Sequence, residues 1–305
     1  MTDGPGMDGP GRAEHAERFT LLRPLLFTIA YEILGSATEA DDVLQDSYLR
    51  WAQVDLADVR DTKAYLAQLV TRQALNTLRA EARRREDYIG PWLPEPLLID
   101  GQDGLSDVVL AESVSMAMLV VLETLSPDER AVFVLREVFG FEHADIATAV
   151  GKSPTAVRQI AHRARAHVHS RRRRFEPVDP DRSARITTEF LTAAASGDLA
   201  SLMAVLAPDV AFTSDSNGKV SAALRPVLGA EKVARFILGL MQRMGPEHRI
   251  STAIYNGAPA LVVHADDRPD SVITLDIADG KITNFYAVRN PDKLAAVTVS
   301  REITR

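Results

Sequence analysis

Apolar residues recur at three- and four-residue intervals through residues 19–86, the spacing of helices that bury one stripe. Leu22, Leu25, Leu26, Ile29, Ala30, Ile33 and Leu34 mark the first helix, which Gly35 can end in the left-handed conformation. Thr38 can cap the second, with Val43, Leu44, Ser47, Tyr48 and Trp51 inward and Asp41, Asp42, Gln45 and Asp46 on the other face. After a polar loop from Asp55 to Asp61, a third helix turns Leu66, Leu69, Val70, Ala74, Thr77 and Leu78 inward. Its outer side presents Lys63, Gln68, Arg72, Asn76, Arg79 and Arg83.

The pattern breaks over 87–110, where Pro91, Pro94 and Pro96 exclude a continuous helix. This linker still holds Trp92, Leu93, Leu97, Leu98 and Ile99, more apolar surface than a plain tether carries, so it is expected to dock on something. Helical spacing resumes over 111–175. Ser126-Pro127-Asp128-Glu129 is a helix start: Ser as cap, Pro at the first helical position, Glu three residues after the cap. A short helix from Glu142 to Val150, a Gly151-Lys152 turn and a longer helix capped by Ser153 then form a helix-turn-helix.

Over 181–305 the period changes. Helices are expected at 186–195, 199–206 and 230–241. Strands are expected at 210–213, 250–255, 260–264, 271–277 and 282–288, with turns at Asp215-Ser216-Asn217-Gly218 and Asp279-Gly280. Helices followed by a curved antiparallel sheet suggest a compact α+β domain around a cavity.

The 305 residues are 46% apolar, enough for two or three cored domains. There is no cysteine, which excludes disulfides, thiolate metal sites and a catalytic thiol. No run approaches 18 apolar residues, so no membrane-spanning helix and no membrane partner are expected. Residues 1–18 are rich in Gly, Pro and Asp and read as a disordered leader.

Charge is unevenly placed. Residues 1–110 carry 19 acids and 11 bases, a net of −8, whereas 111–175 carry 7 and 10. Every acid of the second segment precedes Ile146; Lys152, Arg158, Arg163, Arg165 and Arg171 to Arg174 follow it. A basic stretch without acids is the electrostatic footprint of a polyanion partner. In the last helix of that segment Val157, Ile160, Ala161, Ala164 and Val168 share one stripe, leaving Thr155, Arg158, Gln159, His162, Arg163 and Arg165 outside. Arg suits guanine edges, Gln suits adenine, and such a helix reads the major groove with its N-terminal part.

Taken in order, these parts resemble the extracytoplasmic-function sigma factors of bacterial RNA polymerase over about residues 19–175. Ala40 to Asp46 with Leu49 and Arg50 are similar to that family's polymerase-binding helix. Ala64-Tyr65-Leu66, Asn76 and Leu78-Arg79 are similar to its −10 helix, and Ser126 through Ala164 to its −35 domain. The remainder resembles a SnoaL-like domain of the NTF2-like superfamily, an extension found in one subgroup of these factors. Its markers are Trp92-Leu93-Pro94-Glu95-Pro96 and Asn290-Pro291-Asp292-Lys293-Leu294, and its glycine-rich turn stands here as Asp215-Ser216-Asn217-Gly218-Lys219-Val220.

The resemblance implies a multidomain chain: two all-α sigma domains, 19–86 and 111–175, joined by the 87–110 linker and followed by a cone-shaped α+β domain at 181–305. It implies binding to core RNA polymerase through Asp41, Asp42, Gln45 and Asp46. Lys63, Arg72, Asn76, Arg79 and Arg83 would meet the −10 element; Thr155, Arg158, Gln159, His162, Arg163 and Arg165 the −35 element. The two marker motifs, Trp92 to Pro96 and Asn290 to Leu294, are expected to approach each other and regulate in cis. The implied factor works in the cytoplasm and needs no cofactor; the cone is expected to take a small apolar ligand. Two rivals remain. One is a dimeric helix-turn-helix regulator with a ligand sensor. The other is an isomerase-like enzyme using His264, Asp276 or Asp215 as general base.

Overall fold

The computed structural model describes residues 10–84, 87–100, 107–171 and 179–305. They divide into two units. The first is built from 1–81, 125–167 and 303–305, the second from 82–124 and 168–302. These units follow packing and not the order of the modules read from the sequence: residues 111–124 pack in the second unit, and 303–305 in the first.

The first unit is helical. α1 (Pro10–Leu34) starts inside the expected leader. Helix replaces disorder there because the leader has partners: His15 is buried, its Nε2 lies 2.8 Å from the Val54 carbonyl, and the Trp51 indole donates to the His15 carbonyl at 2.9 Å. Gly35 ends α1 with φ 74°. Ser36, and not Thr38, caps α2 (Ala37–Trp51), its hydroxyl accepting the Glu39 N–H. α3 (Thr62–Arg84) buries the expected Leu66, Val70, Ala74 and Leu78, and also Ala67, Thr71, Gln73 and Leu75, so it is covered on more than one side.

α4 (Val108–Ser113) and α5 (Met116–Leu122) belong to the second unit. The first unit resumes with α6 (Pro127–Phe133), whose Ser126–Glu129 capping box forms as the sequence predicts. A π-helical turn, Val134–Val138, continues it. α7 (His143–Val150) ends at Gly151, φ 70°, and α8 (Pro154–Arg171) follows behind its Ser153 cap. The positive φ at Gly151 sets the sharp turn between the two helices, a conformation that a side chain would strain.

In the second unit α9 (Pro180–Ser196), α10 (Leu199–Val205) and α11 (Ala230–Met241) pack on one face of a six-stranded sheet. Its strands are β1 (Leu206–Asp215), β2 (Val227–Leu228), β3 (His248–Tyr255), β4 (Ala258–Ala265), β5 (Arg268–Ala278) and β6 (Lys281–Val288), in spatial order β2-β1-β6-β5-β4-β3. The sheet is mixed, not purely antiparallel: β1 runs parallel to β6. The crossover through α11 carries the chain to the far edge at β3, and three hairpins bring it back beside β1. β1 begins four residues before the expected strand and includes Pro208; its register shifts between Leu206 and Ala211, where a residue without an N–H can be placed. Asn217 (φ 47°) and Gly218 (φ 67°) make the turn after β1, asparagine being one of the few residues that enter the left-handed region readily.

The other face of the sheet is covered by the linker and by α12 (Pro291–Leu294). Leu93, Met116, Tyr255, Val262, Val272, Tyr286, Val288, Leu294 and Val297 form this second core. The apolar linker therefore docks as expected, and the sheet is its platform.

Candidate functional site

The exposed face of α8 is the first candidate surface. Val157, Ile160, Ala161, Ala164 and Val168 are buried, each at most 7% exposed, and Thr155, Arg158, Gln159, His162, Arg163 and Arg165 all face solvent. Two of the arginines have carboxylate partners within the unit. Arg165 makes a forked pair with Glu137 at 2.6 and 3.1 Å, and Arg163 stands 3.6 Å from Glu129. The hydrogen bonds to Glu137 hold the Arg165 guanidinium in its charged form.

On α3, Lys63, Arg72, Asn76 and Arg79 are exposed; Arg83 lies in the helix but outside the residues whose side chains are described. Arg79 donates to Asp128 at 2.6 Å, and Arg72 donates to the Thr148 carbonyl at 3.2 Å. Asp128 also pairs with Lys152 at 2.8 Å, at the turn before α8. Burial opposes ionisation of Asp128, but the hydrogen bonds from Lys152 and Arg79 outweigh it and hold the carboxyl below its usual range. The basic side of α3 is thus clasped to α6 and α7. On its other side α6 is joined to α1, where the buried Arg130 donates through Nε to the backbone carbonyl of the buried Glu32 at 2.8 Å. The sequence gives no sign of this clasp, because a charged residue at a helix start reads as a cap or a solvated group.

On α2, Asp42, Gln45 and Asp46 are exposed, and Asp41 pairs with Arg23 of α1 at 2.9 Å. The chain's last residues also reach this unit. The Thr304 N–H donates to the Thr28 hydroxyl of α1 at 3.3 Å, and Arg305 donates to the Val138 carbonyl of the π-helical turn at 3.3 Å.

The two marker motifs meet in the second unit. Leu93, Pro94, Glu95 and Pro96 are buried and Trp92 is half-buried; Asn290, Lys293 and Leu294 are buried, while Pro291 and Asp292 face solvent. Lys293 donates to the Leu93 carbonyl and to Asp215, and its ammonium lies 3.8 Å from the centre of the Trp92 ring. Asn290 donates to the Tyr88 hydroxyl at 3.0 Å. Asp215 and Tyr88 complete this cluster.

None of the three candidate general bases lines the cavity between the sheet and α9 and α11, though Asp276 lines a second cavity on the opposite face together with Glu112 and Ser115. Asp215 is engaged as just described. Leu261 and Val263 line the cavity, so alternation puts His264 on the opposite face, where its Nε2 lies 3.1 Å from the Ser251 hydroxyl. Asp276 is on that face as well, accepting from Thr283 and Asn284 at 3.0 and 3.1 Å. No helix among the described residues is long and apolar enough to cross a membrane, and no group of three metal-ligating side chains occurs among them.

Comparison with known proteins matches the same segments. Residues 19–84 match the family Sigma-70 region 2, and residues 115–168 match Sigma-70, region 4. The chain is 39% identical over 287 residues to the ECF RNA polymerase sigma factor SigJ of Mycobacterium tuberculosis, covering 90% of this chain and 91% of that one. It is 31% identical over 274 residues to the probable ECF RNA polymerase sigma factor SigI of the same organism, covering 89% and 92%. The crystal structure of M. tuberculosis SigJ superposes with a TM-score of 0.74 at 35% identity, over 93% of this chain and all of that one.

Proposed function

The chain belongs to the extracytoplasmic-function family of RNA polymerase sigma factors, and on that premise we propose which of its residues do that family's work. It is an alternative sigma factor: it binds core RNA polymerase and directs initiation at promoters with −10 and −35 elements.

The observation that carries the assignment is the exposed polar face of α8 behind a helix-turn-helix. In this reading Arg158, Gln159 and His162 meet base edges of the −35 element near the start of the helix, and Thr155, Arg163 and Arg165 meet phosphates. Lys63, Arg72, Asn76, Arg79 and Arg83 hold the −10 element. Asp41, Asp42, Gln45 and Asp46 dock on the polymerase, where the −8 of the first 110 residues suits a protein partner better than a nucleic acid. The factor works in the cytoplasm, beside the polymerase, and the third domain regulates rather than catalyses.

The clasp adds a requirement. Arg72 and Arg79 are bonded to the module that carries the −35 helix. Two boxes spaced along a duplex cannot both be held by modules joined in this way, since each base pair adds about 3.4 Å of helix axis. Promoter engagement therefore opens the first unit. The C-terminal domain controls this step in cis: it holds the linker through Lys293, and residues 303–305 tie α1 to the π-helical turn.

Run-off transcription with core polymerase tests the reading. The full chain is expected to direct transcripts from promoters of matched −35 and −10 sequence, and a chain ending at Arg289 to use them differently at equal occupancy. Failure to join core enzyme overturns the whole assignment; identical promoter use by both chains overturns the cis regulation alone.

A further inference from the structure

The concave face of the sheet, α9 and α11 surround a cavity of about 430 Å³. That is space for roughly fourteen water-sized groups, within the range of small-molecule sites. Phe190, Phe212, Phe236 and Phe285 form a contiguous aromatic wall, with ring centres 5.1–5.4 Å apart from pair to pair. The lining also contains a polar group: Arg243, Asp270 and Arg289, with Ser214 and Ser271.

Arg289 has two attachments. Its guanidinium donates to Asp270 at 2.7 Å and to the Ser221 carbonyl, which engages two of its five N–H donors. Its backbone N–H donates to the Asp215 carbonyl at 2.7 Å. Asp215 is the carboxylate that holds Lys293 and the linker. Arg243 is exposed on the same lining, and among the described residues no carboxylate pairs with it. The lining thus carries two guanidinium groups against one carboxylate, an excess of one positive charge.

We propose that this cavity binds an amphipathic small molecule whose apolar body lies along the phenylalanine wall and whose single anionic head, a carboxylate or sulfonate, is held by Arg289 and Arg243. The head recruits the free N–H donors of Arg289 at the partly exposed mouth of the cavity, through charge-assisted hydrogen bonds. Apolar burial supplies affinity and the arginines supply the choice of head group. Occupancy also reaches the linker, because the Arg289 backbone N–H, just past the end of β6, is bonded to the Asp215 carbonyl. This second part rests on the cis-regulatory reading given above; the binding itself does not.

The test uses the full chain without polymerase. The probe is 8-anilinonaphthalene-1-sulfonate, with decanoate and decanol as competitors of matched apolar length. The expected result is saturable one-site binding, displaced at least tenfold more effectively by decanoate than by decanol, with that preference lost in Arg289→Gln. Ile273→Trp and the smaller Val263→Phe plug the cavity from two strands. Each is expected to abolish probe binding while thermal unfolding stays cooperative; where one fails to fold, the other decides. Absence of saturable binding, retention of it in a folded plugged variant, or equal displacement by decanol overturns the site. Decanoate is further expected to change the rate of chymotryptic cleavage at Trp92. An unchanged rate alongside confirmed binding overturns only the link to the linker.

Discussion

The Lys293 ammonium lies 2.7 Å from a carboxylate oxygen of Asp215, the lysine 8% and the aspartate 0% exposed. Asp215 also accepts the Tyr88 hydroxyl at 2.5 Å and the Leu93 N–H at 2.8 Å. Burial first, and then the neighbouring Asp215 carboxylate, push the Tyr88 phenol well above its usual range, so it remains a donor. Three segments far apart in the chain thus share one buried ion pair. Such a pair adds little net stability beside an apolar substitute, but removal of one partner leaves the other uncompensated.

Lys293→Met is therefore expected to destabilise the second unit by about 3–5 kcal/mol and to release the linker. The double variant Asp215→Asn with Lys293→Met is expected to recover part of that loss, since neither charge is then buried alone. Urea unfolding gives the stability, and chymotryptic cleavage at Trp92 reports the linker. A single variant as stable as the parent contradicts the clasp.

Asp128 contributes to the pH dependence of the first unit, as does its neighbour Glu129. The Asp128 carboxyl is held below the usual carboxylate range in the folded chain, so the stability it contributes is present above the unfolded value near 4. That contribution is lost as pH falls through the depressed folded value. Dyes on α2 and α7 are expected to separate below about pH 4 in the parent. Asp128→Ala should show a larger separation already at pH 7, and should bind promoter DNA more tightly by freeing Arg79 and Lys152. Unchanged energy transfer in this variant rules out the clasp as a barrier to opening.

On α8, Arg158→Ala and Gln159→Ala are each expected to cost about 1–3 kcal/mol against the matched −35 box and to relax selectivity at one position. Arg165→Ala, whose guanidinium is shared with Glu137, is expected to weaken binding evenly across sequences. Electrophoretic mobility shifts over a set of single-base −35 variants separate the two patterns. Equal losses on all boxes for Arg158→Ala overturn its role as a base reader.

Asp42→Arg combined with Asp46→Arg is expected to reduce core-enzyme binding at least tenfold while leaving thermal unfolding unchanged, because both side chains are exposed on α2. Co-sedimentation with core polymerase measures it. Normal binding by this variant removes the acidic face from the docking surface.

Period and punctuation were enough to locate α2, α3, the helix-turn-helix and β3 to β6. Each is a local matter: Ser126 meets Glu129 three residues on, and Gly151 turns the chain between two short amphipathic helices. The two marker motifs were legible as words, and so was their meeting. Partners distant in sequence were not. His15 became helical because Trp51 and Val54 receive it, and Ser36 replaced Thr38 as a cap because the helix started two residues earlier.

The sequence by itself determined the element types, the order of the modules and the exposed basic face of α8, because helical and strand periods and capping chemistry act within a few residues. Only tertiary structure decided that β1 lies parallel to β6 and that His264 and Asp276 turn away from the cavity. It alone decided that Arg79 is clasped to Asp128 and that Arg289 stands between the chamber and Asp215. These facts depend on which faces are brought together by burial of apolar surface, and that choice is made by the whole chain at once.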